Sequence, residues 1–277
     1  MKLDCNGKIL DLGKPCVMGI LNVTPDSFSD GGKFLQADAA VHQALQMVEE
    51  GAAIVDVGGE STRPGAPAVS VQEELDRVIP VIDALTARLD IPLSVDTSKP
   101  EVMAAAIGAG AGLINDVNAL RTEGALQQAA QLKVPVCLMH MQGQPQTMQQ
   151  APHYASVVDE VKAFLEQRIA ACLHQGIPEA HIFIDPGFGF GKTLDHNLQL
   201  LRQLRELCQL GRPLLVGLSR KSMLGTLTGR APEQRVAASV AAAILAVERG
   251  ASIVRVHDVA ETVDALKIFD AVTREQR

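Results

Sequence analysis

Short apolar runs rich in β-branched residues recur along the chain, and segments with helical spacing of apolar positions separate them. The runs span residues 17–22, 53–58, 91–97, 112–117, 134–140, 181–186, 213–219 and 252–257. Strands that alternate with helices indicate parallel βαβ units. Eight such units in one chain favour a closed (β/α)8 TIM barrel over an open doubly wound sheet.

The first residues of the chain have a different pattern. Residues 2–13, KLDCNGKILDLG, place an Asn6-Gly7 pair between two short segments, which predicts a β-hairpin. We expect this short N-terminal hairpin to precede the first barrel strand and to plug the bottom of the barrel. No linker-like or low-complexity stretch divides the sequence, so a single domain over residues 1–277 is expected.

Composition narrows the class of protein. The chain has 277 residues, of which 47% are hydrophobic and 21% charged, and its formal net charge is −7 without a basic run. Neither nucleic acid nor an anionic membrane is therefore an expected partner. The five cysteines form no C-x-x-C pair, which is typical of reduced thiols. Residues 1–10 lack a signal-peptide core and the longest apolar run, 236–247, is too short to span a bilayer, so a cytoplasmic protein is expected.

Polar side chains stand at the carboxyl end of every predicted strand. In chain order they are Asn22, Asp56, Asp96, Asn115 with Asp116, His140, Asp185, Ser219, and Arg255 with His257. Any single Asp or Asn at such a place can be explained as the cap of the following helix. A strand covered by helices is otherwise expected to be apolar, and barrel active sites lie at the carboxyl ends of the strands. The whole set therefore predicts an active-site face.

Cationic residues follow the last two strands. Arg220, Lys221 and Ser222 precede a predicted helix after the seventh strand, and Arg255 and His257 share one side of the eighth. Barrels often bind phosphate groups at the loops after these strands, which predicts an anionic ligand. The alternative is that Arg220 and Lys221 form a solvated pair.

Asp96, Asn115 and Asp185 come from three different strands and would converge in the barrel mouth. Carboxylates and amides in that position suit a flat heterocycle with several N–H donors. The sequence has no His-rich metal-binding spacing, but Mg²⁺ held mainly by a substrate diphosphate would need only one protein oxygen, which Asn22 can supply. His140 is open to two interpretations, a catalytic histidine or a satisfied core histidine.

The segment DPGFGFGK, residues 185–192, lacks the spacing of both common nucleotide-binding motifs. Its glycines are interpreted as a flexible loop over the barrel mouth. Phe188 and Phe190 on this loop would either stack against a substrate ring or pin the loop to the barrel rim. The sequence has no G-x-S-x-G motif and no cysteine paired with a base, so no nucleophile is indicated.

Eight motifs, in order from about residue 17 to residue 265, resemble those of the dihydropteroate synthases of bacterial folate synthesis. They are GILNVTPDSFSDGG, DVGGESTRPGA, SVDTSKPEV, NDV, MHMQG, DPGFGFGK, GLSRKS and RVHDV. The resemblance implies a Mg²⁺-dependent condensation of 6-hydroxymethyl-7,8-dihydropterin diphosphate with 4-aminobenzoate to give 7,8-dihydropteroate and diphosphate. It also implies a sulfonamide target and a homodimer. The Ala-rich helix from Ala237 onward would pack either on a second subunit or on its own barrel.

The resemblance implies roles for individual residues of this chain. The pterin would be held by Asp96, Asn115, Asp185 and Lys221. Asn22, as the metal ligand, would bind the Mg²⁺ of the diphosphate, together with His257 and Arg255 at the diphosphate itself. Arg255 would also cover one face of the pterin ring. The 4-aminobenzoate site would be lined by Thr62, Arg63, Pro64, Phe190, Lys221 and Ser222. Further candidate substrate-binding residues are Ser219 and Phe28, and the candidate catalytic residues are Asp96, Lys221, Arg255, Asp56 and Asp30.

Two rival functions have to be weighed against the synthase. A methyltetrahydrofolate methyltransferase barrel would share the pterin-binding aspartates and asparagine but would not need a diphosphate site, which the cations at residues 219–222 and 255–257 predict. A catalytically silent pterin-binding paralogue would have lost members of the strand-end set, and all of them are present. The synthase is therefore the favoured interpretation.

The polar loop that follows the first strand, residues 22–32, has a role in the implied chemistry. Loss of diphosphate would leave a cationic pterin methylene that Asp96 and Asp56 stabilise, and the arylamine would attack it without a strong base. The loop would exclude water from that cation and complete the amine's site. We expect Asp30→Asn and Phe28→Ala to slow the chemical step, measured as single-turnover formation of dihydropteroate. An unchanged chemical step in both variants would contradict this role.

Overall fold

The structure, a computed structural model, describes residues 1–24, 33–61, 66–144 and 147–273, with side chains described for all of these except residues 33–36. Two antiparallel strands, β1 (Lys2–Cys5) and β2 (Lys8–Asp11), form the predicted hairpin. In the same described ranges eight further strands follow: β3 (Cys16–Asn22), β4 (Ile54–Gly58), β5 (Leu93–Asp96), β6 (Leu113–Asp116), β7 (Val136–Met139), β8 (Ile182–Asp185), β9 (Leu215–Val216) and β10 (Ile253–Val256).

Helices connect these strands. They are α1 (Lys33–Glu49), α2 (Val71–Thr86), α3 (Pro100–Gly108), α4 (Ala125–Leu132), α5 (Val157–His174), α6 (Leu194–Arg202), α7 (Arg205–Cys208), α8 (Ser222–Thr228), α9 (Val236–Glu248) and α10 (Val259–Thr273), with 3₁₀ turns at Glu179–His181 and Pro232–Gln234. Among the described residues, no helix combines the length and the apolar character that a bilayer crossing requires.

The strands of the second sheet are parallel and pair in the order β8-β7-β6-β5-β4-β3-β10-β9. Ile184 of β8 forms a bridge to Leu214, and its N–H donates to the carbonyl oxygen of Pro213 at 3.1 Å. These contacts join the two ends of the sheet, and the predicted (β/α)8 TIM barrel is confirmed. Helices cover the outer face, where strand residues such as Val55 and Val95 pack with them in the main core.

The seventh barrel strand is shorter than the sequence predicted. The apolar run 213–219 contributes only Leu215 and Val216 to a strand. The chain then turns, because the N–H of Lys221 donates to the carbonyl oxygen of Leu218 at 3.3 Å and Arg220 adopts a left-handed φ of 57°. This turn brings the Lys221 segment to the barrel mouth.

The hairpin fills the lower end of the barrel, as predicted. Its apolar residues pack against the lowest inward-facing residue of most barrel strands, in a cluster of Leu3, Cys5, Leu10, Met18, Ile54, Leu113, Cys137, Phe183, Leu215 and Ile253. The side-chain amide of Asn6 donates to the carbonyl oxygens of Ile107 and Ala111, at 3.1 and 2.9 Å, and so fixes the turn of the hairpin to α3.

Side chains alternate along each strand, so that every second residue points into the barrel. Above the apolar layer, the next inward positions hold Asp56, Asn115, Asp185 and Arg255. The lower half of the barrel interior is therefore apolar and closed by the hairpin, whereas the upper half is polar.

Gly112 is required for the hairpin to approach the barrel, because a Cβ atom there would lie 2.1 Å from the carbonyl oxygen of Cys5. We expect Gly112→Ala to lower the free energy of unfolding by about 1–3 kcal/mol, as for other overpacked sites. Gly108→Ala at the end of α3 is the matched control, since nothing lies within 4 Å of the position that its methyl group would take. Urea unfolding of both variants measures the difference, and equal losses would contradict the steric explanation.

Candidate active site

Arg255 lies at the centre of the polar half of the barrel. Its Nε donates to Asp56 Oδ2 at 2.6 Å, and an Nη atom donates to Asp96 Oδ2 at 2.8 Å. Asn115 Nδ2 donates to the same Asp56 oxygen at 3.0 Å. The guanidinium of β10 therefore reaches across the interior of the barrel to the neighbouring strands β4 and β5.

Burial and pairing act in opposite directions on the pKa values of this cluster. Burial lowers the pKa of Arg255, but the carboxylates of Asp56 and Asp96 outweigh it, and the pKa is raised above its ordinary value. For Asp96 burial is the larger effect and raises the pKa to about 7, although Arg255 lowers it. Arg255 therefore stays charged, and Asp96 is easily protonated when no ligand is bound.

The local sequence explains why these groups meet. In the parallel register Gly58 lies opposite Asp96, and Asp96 lies opposite Asn115, so the polar groups of adjacent strands are at one level. A Cβ atom at Gly58 would lie 3.8 Å from both Asn22 Oδ1 and Asp96 Oδ2. The glycine thus leaves the space between β3 and β5 open, and two oxygen atoms face it.

A second group of side chains surrounds the end of β8. Asp185 Oδ1 accepts a hydrogen bond of 2.7 Å from the N–H of Gly187, and burial raises the pKa of this carboxyl to about 6. The Lys221 ammonium lies 4.2 Å from the centre of the Phe190 ring, and burial lowers the pKa of Lys221 to about 8 while Asp185 opposes that effect. Phe190 packs with Met139 among others, so the ring forms one wall of the mouth.

His257 and Ser219 form a pair between the ends of β9 and β10. Ser219 Oγ lies 3.0 Å from His257 Nδ1 and accepts a hydrogen bond of 3.2 Å from the backbone N–H of His257. Burial lowers the pKa of His257 to about 4, and the charge of Arg255 acts in the same direction. The imidazole is therefore neutral at neutral pH, so it offers a hydrogen bond and no charge.

Arg220 and Lys221 do not form the solvated pair that the sequence allowed. Arg220 makes an ion pair with Asp258, through Nε at 3.1 Å and a second bond from an Nη atom. Its backbone N–H donates to Ser239 Oγ at 2.9 Å. Lys221 turns instead to the barrel mouth, over Phe190. The two adjacent cations thus differ in role, because Arg220 holds the loop to its helices and Lys221 faces the site.

His140 is a buried histidine with a structural environment. Its Nδ1 atom lies 2.9 Å from Lys192 Nζ, and its ring lies edge-on to Phe164 with 5.0 Å between the ring centres. Burial, together with the charge of the adjacent Lys192, lowers the pKa of His140 to about 2. The satisfied core histidine is therefore the interpretation that the contacts support.

The glycine-rich segment after β8 is a fixed turn, and the interpretation of a flexible loop is wrong. Gly187, Gly189 and Gly191 have φ values of 68°, 79° and 61°, which side chains rarely adopt. A Cβ atom at Gly187 would lie only 1.8 Å from the carbonyl oxygen of His140. Phe188, 1% exposed, packs in the core and pins this turn. The glycines thus provide conformation and close packing.

Asp116, which the sequence placed at the same strand end as Asn115, faces away from the site. Its carboxylate accepts hydrogen bonds from the Ser98 hydroxyl and from the backbone N–H groups of Asn118 and Leu120, the latter two at 2.8 and 2.7 Å. This is the capping role that the sequence left open for any single strand-end aspartate. Asp116 therefore shapes the loop after β6.

Five predicted site residues lie outside the described residues, namely Phe28, Asp30, Thr62, Arg63 and Pro64. Glu60 and Val69, on either side of residues 62–65, are held together. Glu60 Oε1 accepts a hydrogen bond of 3.2 Å from the N–H of Val69. Lys99 Nζ donates to the carboxylates of both Glu60 and Glu74. The exposed Ser222 begins α8, beside Lys221.

Sequence reasoning missed two lysines that organise the site, Lys99 and Lys192. A signal for Lys99 was present, because Glu74 falls on the apolar face of α2 with Val78 and Val81 and a buried carboxylate needs a cationic partner. Lys192 was visible only as the last residue of a rejected nucleotide-binding motif. Lys99 joins segments distant in sequence, and Lys192 joins the turn just before it to His140, which lies on another strand end.

Asn22 is the predicted metal ligand and is half-buried at the mouth. Across the part of the chain that the structure describes, no group of three His, Cys, Asp or Glu side chains could hold a metal ion by itself. Oxygen atoms of Asn22 and Asp96 do face the same space, and oxygen is the ligand that Mg²⁺ prefers. The residues therefore fit a Mg²⁺ ion whose other ligands come from a substrate.

Comparison with known proteins finds relatives that match nearly the full length of this chain. Residues 18–257 match the pterin binding enzyme family. The dihydropteroate synthase of Haemophilus influenzae is 54% identical over 271 residues, which are 98% of this chain and 98% of that protein. A solved structure of Xanthomonas albilineans dihydropteroate synthase with 4-aminobenzoic acid has a TM-score of 0.95 and 60% identity, and covers 99% of each chain. Another, in complex with 7,8-dihydropteroate, has a TM-score of 0.91 and 56% identity, and covers 100% of each chain.

The (β/α)8 barrel and its polar mouth are thus those of a pterin-binding enzyme. The chain belongs to the dihydropteroate synthase family.

The raised pKa of Asp96 predicts how stability changes with pH. Between about pH 4 and pH 7 the folded protein keeps a proton that the unfolded chain has released, so this group lowers the free energy of unfolding as pH rises through that window. We expect Asp96→Asn to be more stable than the wild type at about pH 8, and the difference to disappear at about pH 4. Urea unfolding measures both values.

Asp83→Asn, at an exposed position of α2, is the control for removing a carboxylate from the surface and is expected to stay within about 0.5 kcal/mol of the wild type at both pH values. Lower stability of Asp96→Asn at about pH 8 would contradict the dominance of burial over the ion pair with Arg255.

Proposed function

We propose that the protein condenses 6-hydroxymethyl-7,8-dihydropterin diphosphate with 4-aminobenzoate to 7,8-dihydropteroate and diphosphate. The observation that carries this proposal is the meeting of Asp96, Asn115, Asp185, Lys221 and Arg255 in one barrel mouth. The relatives support it, because the Xanthomonas albilineans enzyme binds both 4-aminobenzoic acid and 7,8-dihydropteroate in solved structures.

Pterin recognition would use the buried carboxylates and the amide. Asp185 and Asp96 accept hydrogen bonds from the N–H donors of the pterin, and Asn115 both donates and accepts. Their burial, which raises the pKa values of the two carboxyls, favours a ligand with several N–H donors because such donors stabilise the ionised carboxylate. Arg255, held flat by Asp56 and Asp96, covers one face of the ring.

The diphosphate would lie above Arg255, near Lys221 and His257. Because His257 is neutral, Arg255 and Lys221 supply the positive charge on the protein side and His257 supplies a hydrogen bond. Asn22 would hold Mg²⁺, which when bound neutralises part of the charge of the leaving diphosphate. Ser219 keeps the His257 ring in place.

The second half of the reaction would need no base. When diphosphate leaves, the pterin methylene becomes cationic and Asp96 and Asp56 stabilise that charge. The arylamine attacks the methylene, and its proton is lost after the new bond has formed. Its ring would lie on Phe190, and its carboxylate near Ser222 and Lys221, with Thr62, Arg63 and Pro64 completing the site. Sulfonamides are expected to compete for the same place.

A homodimer is part of the proposal. The neighbouring helices α9 and α10 carry exposed apolar side chains, with Leu245 43%, Ile268 68% and Val272 78% exposed. The alanines Ala242, Ala243 and Ala246 of α9 pack on the protein's own barrel, so the exposed residues are the ones that a second copy would cover. Single-domain organisation over residues 1–277 and a cytoplasmic location remain predictions.

The two rivals predict different products. A methyltransferase barrel would bind the pterin but not release diphosphate, and a silent paralogue would bind without turnover. The cations facing the mouth, Lys221 and Arg255, favour the synthase over the methyltransferase because a methyl transfer releases no diphosphate for them to bind.

The deciding experiment is diphosphate release from the pterin diphosphate with Mg²⁺, with and without 4-aminobenzoate. We expect release in equal amount with dihydropteroate when both substrates are present, and slow release with the pterin diphosphate alone. Arg255→Met and Lys221→Met are expected to lower the rate at least about tenfold, as loss of one charged partner does. Pterin binding without any diphosphate release would overturn the proposal in favour of the silent paralogue.

A further inference from the structure

Lys192 is a buried lysine behind the wall of the site, and it does not face the space where the substrates would bind. The residue is 3% exposed. Its ammonium group donates to the carbonyl oxygens of Gly187 and Phe190, at 2.9 and 3.0 Å, and lies 2.9 Å from His140 Nδ1. Three acceptors match the three N–H donors of an ammonium group, so the group is completely satisfied.

These contacts tie both ends of one turn to a single atom. Gly187 begins the turn and Phe190 ends it. The N–H of Gly187 holds the Asp185 carboxylate, and the Phe190 ring carries the Lys221 ammonium on its face. The turn therefore connects a pterin-binding carboxylate to a cation of the mouth, and Lys192 sets its backbone.

Gly189, inside the turn, and Gly191, just after it, are fixed by other groups, which limits what Lys192 itself controls. Asn197 Oδ1 accepts from the N–H of Gly189 at 2.8 Å, and the Tyr154 hydroxyl donates to the carbonyl oxygen of Gly191 at 2.8 Å. Neither bond involves Gly187 or Phe190. Gly187 and Phe190, which touch Asp185 and Lys221, are thus held by Lys192 together with the turn's own bond from the N–H of Phe190 to the carbonyl oxygen of Gly187, at 3.1 Å.

The hydrogen bonds survive a change in protonation. Burial lowers the pKa of Lys192 to about 7, with Asp185 opposing the shift. If the ammonium loses a proton, its two remaining N–H groups still serve the two carbonyl oxygens, and its lone pair accepts from Nδ1–H of the other His140 tautomer. The turn therefore keeps its shape across neutral pH.

We propose that Lys192 is a positioning residue for pterin binding, which acts by fixing the backbone of residues 187–190 so that Asp185 and the Phe190–Lys221 pair have the correct geometry. The inference rests on the proposed function, since it concerns the same pterin site. Lys192 itself touches no substrate, and its effect is expected in binding more than in the chemical step.

The test compares Lys192→Met with the wild type. The variant keeps a side chain of similar length and removes the lysine donor from both carbonyl oxygens, of which that of Gly187 keeps the N–H of Phe190. We expect the dissociation constant for 6-hydroxymethylpterin, measured by calorimetry, and KM for the pterin diphosphate to rise at least tenfold. We expect kcat at saturation to fall less than fivefold. A lysine with only a structural role would lower the melting temperature and leave the affinity of the folded protein unchanged.

Two further variants separate the causes. Lys192→Gln keeps N–H donors for the carbonyl oxygens and is expected to recover at least half of the lost affinity on a logarithmic scale. Lys162→Met, at a half-buried lysine of α5 whose ammonium donates to Gln209 at 2.7 Å, removes the same charge elsewhere and is expected to bind the pterin within twofold of the wild type. Circular dichroism verifies that each variant is folded.

Pterin affinity of folded Lys192→Met within twofold of the wild type would overturn the inference. If that variant does not fold, Lys192→Arg decides, because it keeps the positive charge but its planar guanidinium cannot place donors where the ammonium group has them. Tyr154→Phe is its control, since the bond that this variant loses goes to Gly191 and not to Gly187 or Phe190. A threefold or larger loss of pterin affinity in Lys192→Arg relative to Tyr154→Phe supports the inference, and equal affinities overturn it. A wild-type protein that binds no pterin would overturn the proposed function, whereas a fully active wild type with an unaffected Lys192→Met would overturn this inference alone.

Discussion

The buried guanidinium of Arg255, held between Asp56 and Asp96, is the interaction on which the rest of the site depends. A cation in the interior of a barrel is stable only if carboxylates surround it, and carboxylates are tolerated there only because the cation is present. The cluster therefore keeps charged groups in the interior of the barrel, where they would otherwise need water to solvate them. Pairing with Arg255 does not fully offset the burial of Asp96, whose pKa stays raised. A ligand that donates hydrogen bonds to this carboxylate can therefore stabilise it.

The lower half of the barrel contributes to the stability of the fold, and the upper half carries the candidate active site. The hairpin closes the lower half with apolar side chains, and Gly112 permits its close approach. The upper half is polar, and its charges cost stability that the apolar half and the helices offset. Substitutions in the two halves should therefore differ in kind. Substitutions in the apolar lower half lower the free energy of unfolding. Substitutions in the polar upper half can raise stability and weaken ligand binding at the same time.

Much of the fold could be predicted because periodicity is a local property. Alternation of apolar runs with helical segments determined the order of strands, and the Asn6-Gly7 pair determined the hairpin. The polar strand ends, including Asp96 and Asp185, could be predicted to share one face, since parallel strands of a barrel end on the same side. The glycine-rich turn was misjudged because composition does not tell a flexible glycine from one that a close backbone contact requires.

By itself, the sequence determined the barrel, its hairpin and the residues that stand at the strand ends, because these depend on spacing along the chain. Only the tertiary structure decided which adjacent groups act together. Arg220 pairs with Asp258 while Lys221 faces the mouth, His257 is neutral, and Lys192 serves a turn five residues before it. Such outcomes depend on burial and on how the chain folds around each group, and most of the partners lie far away in sequence, as His140 does from Lys192. The local pattern therefore carries no record of them.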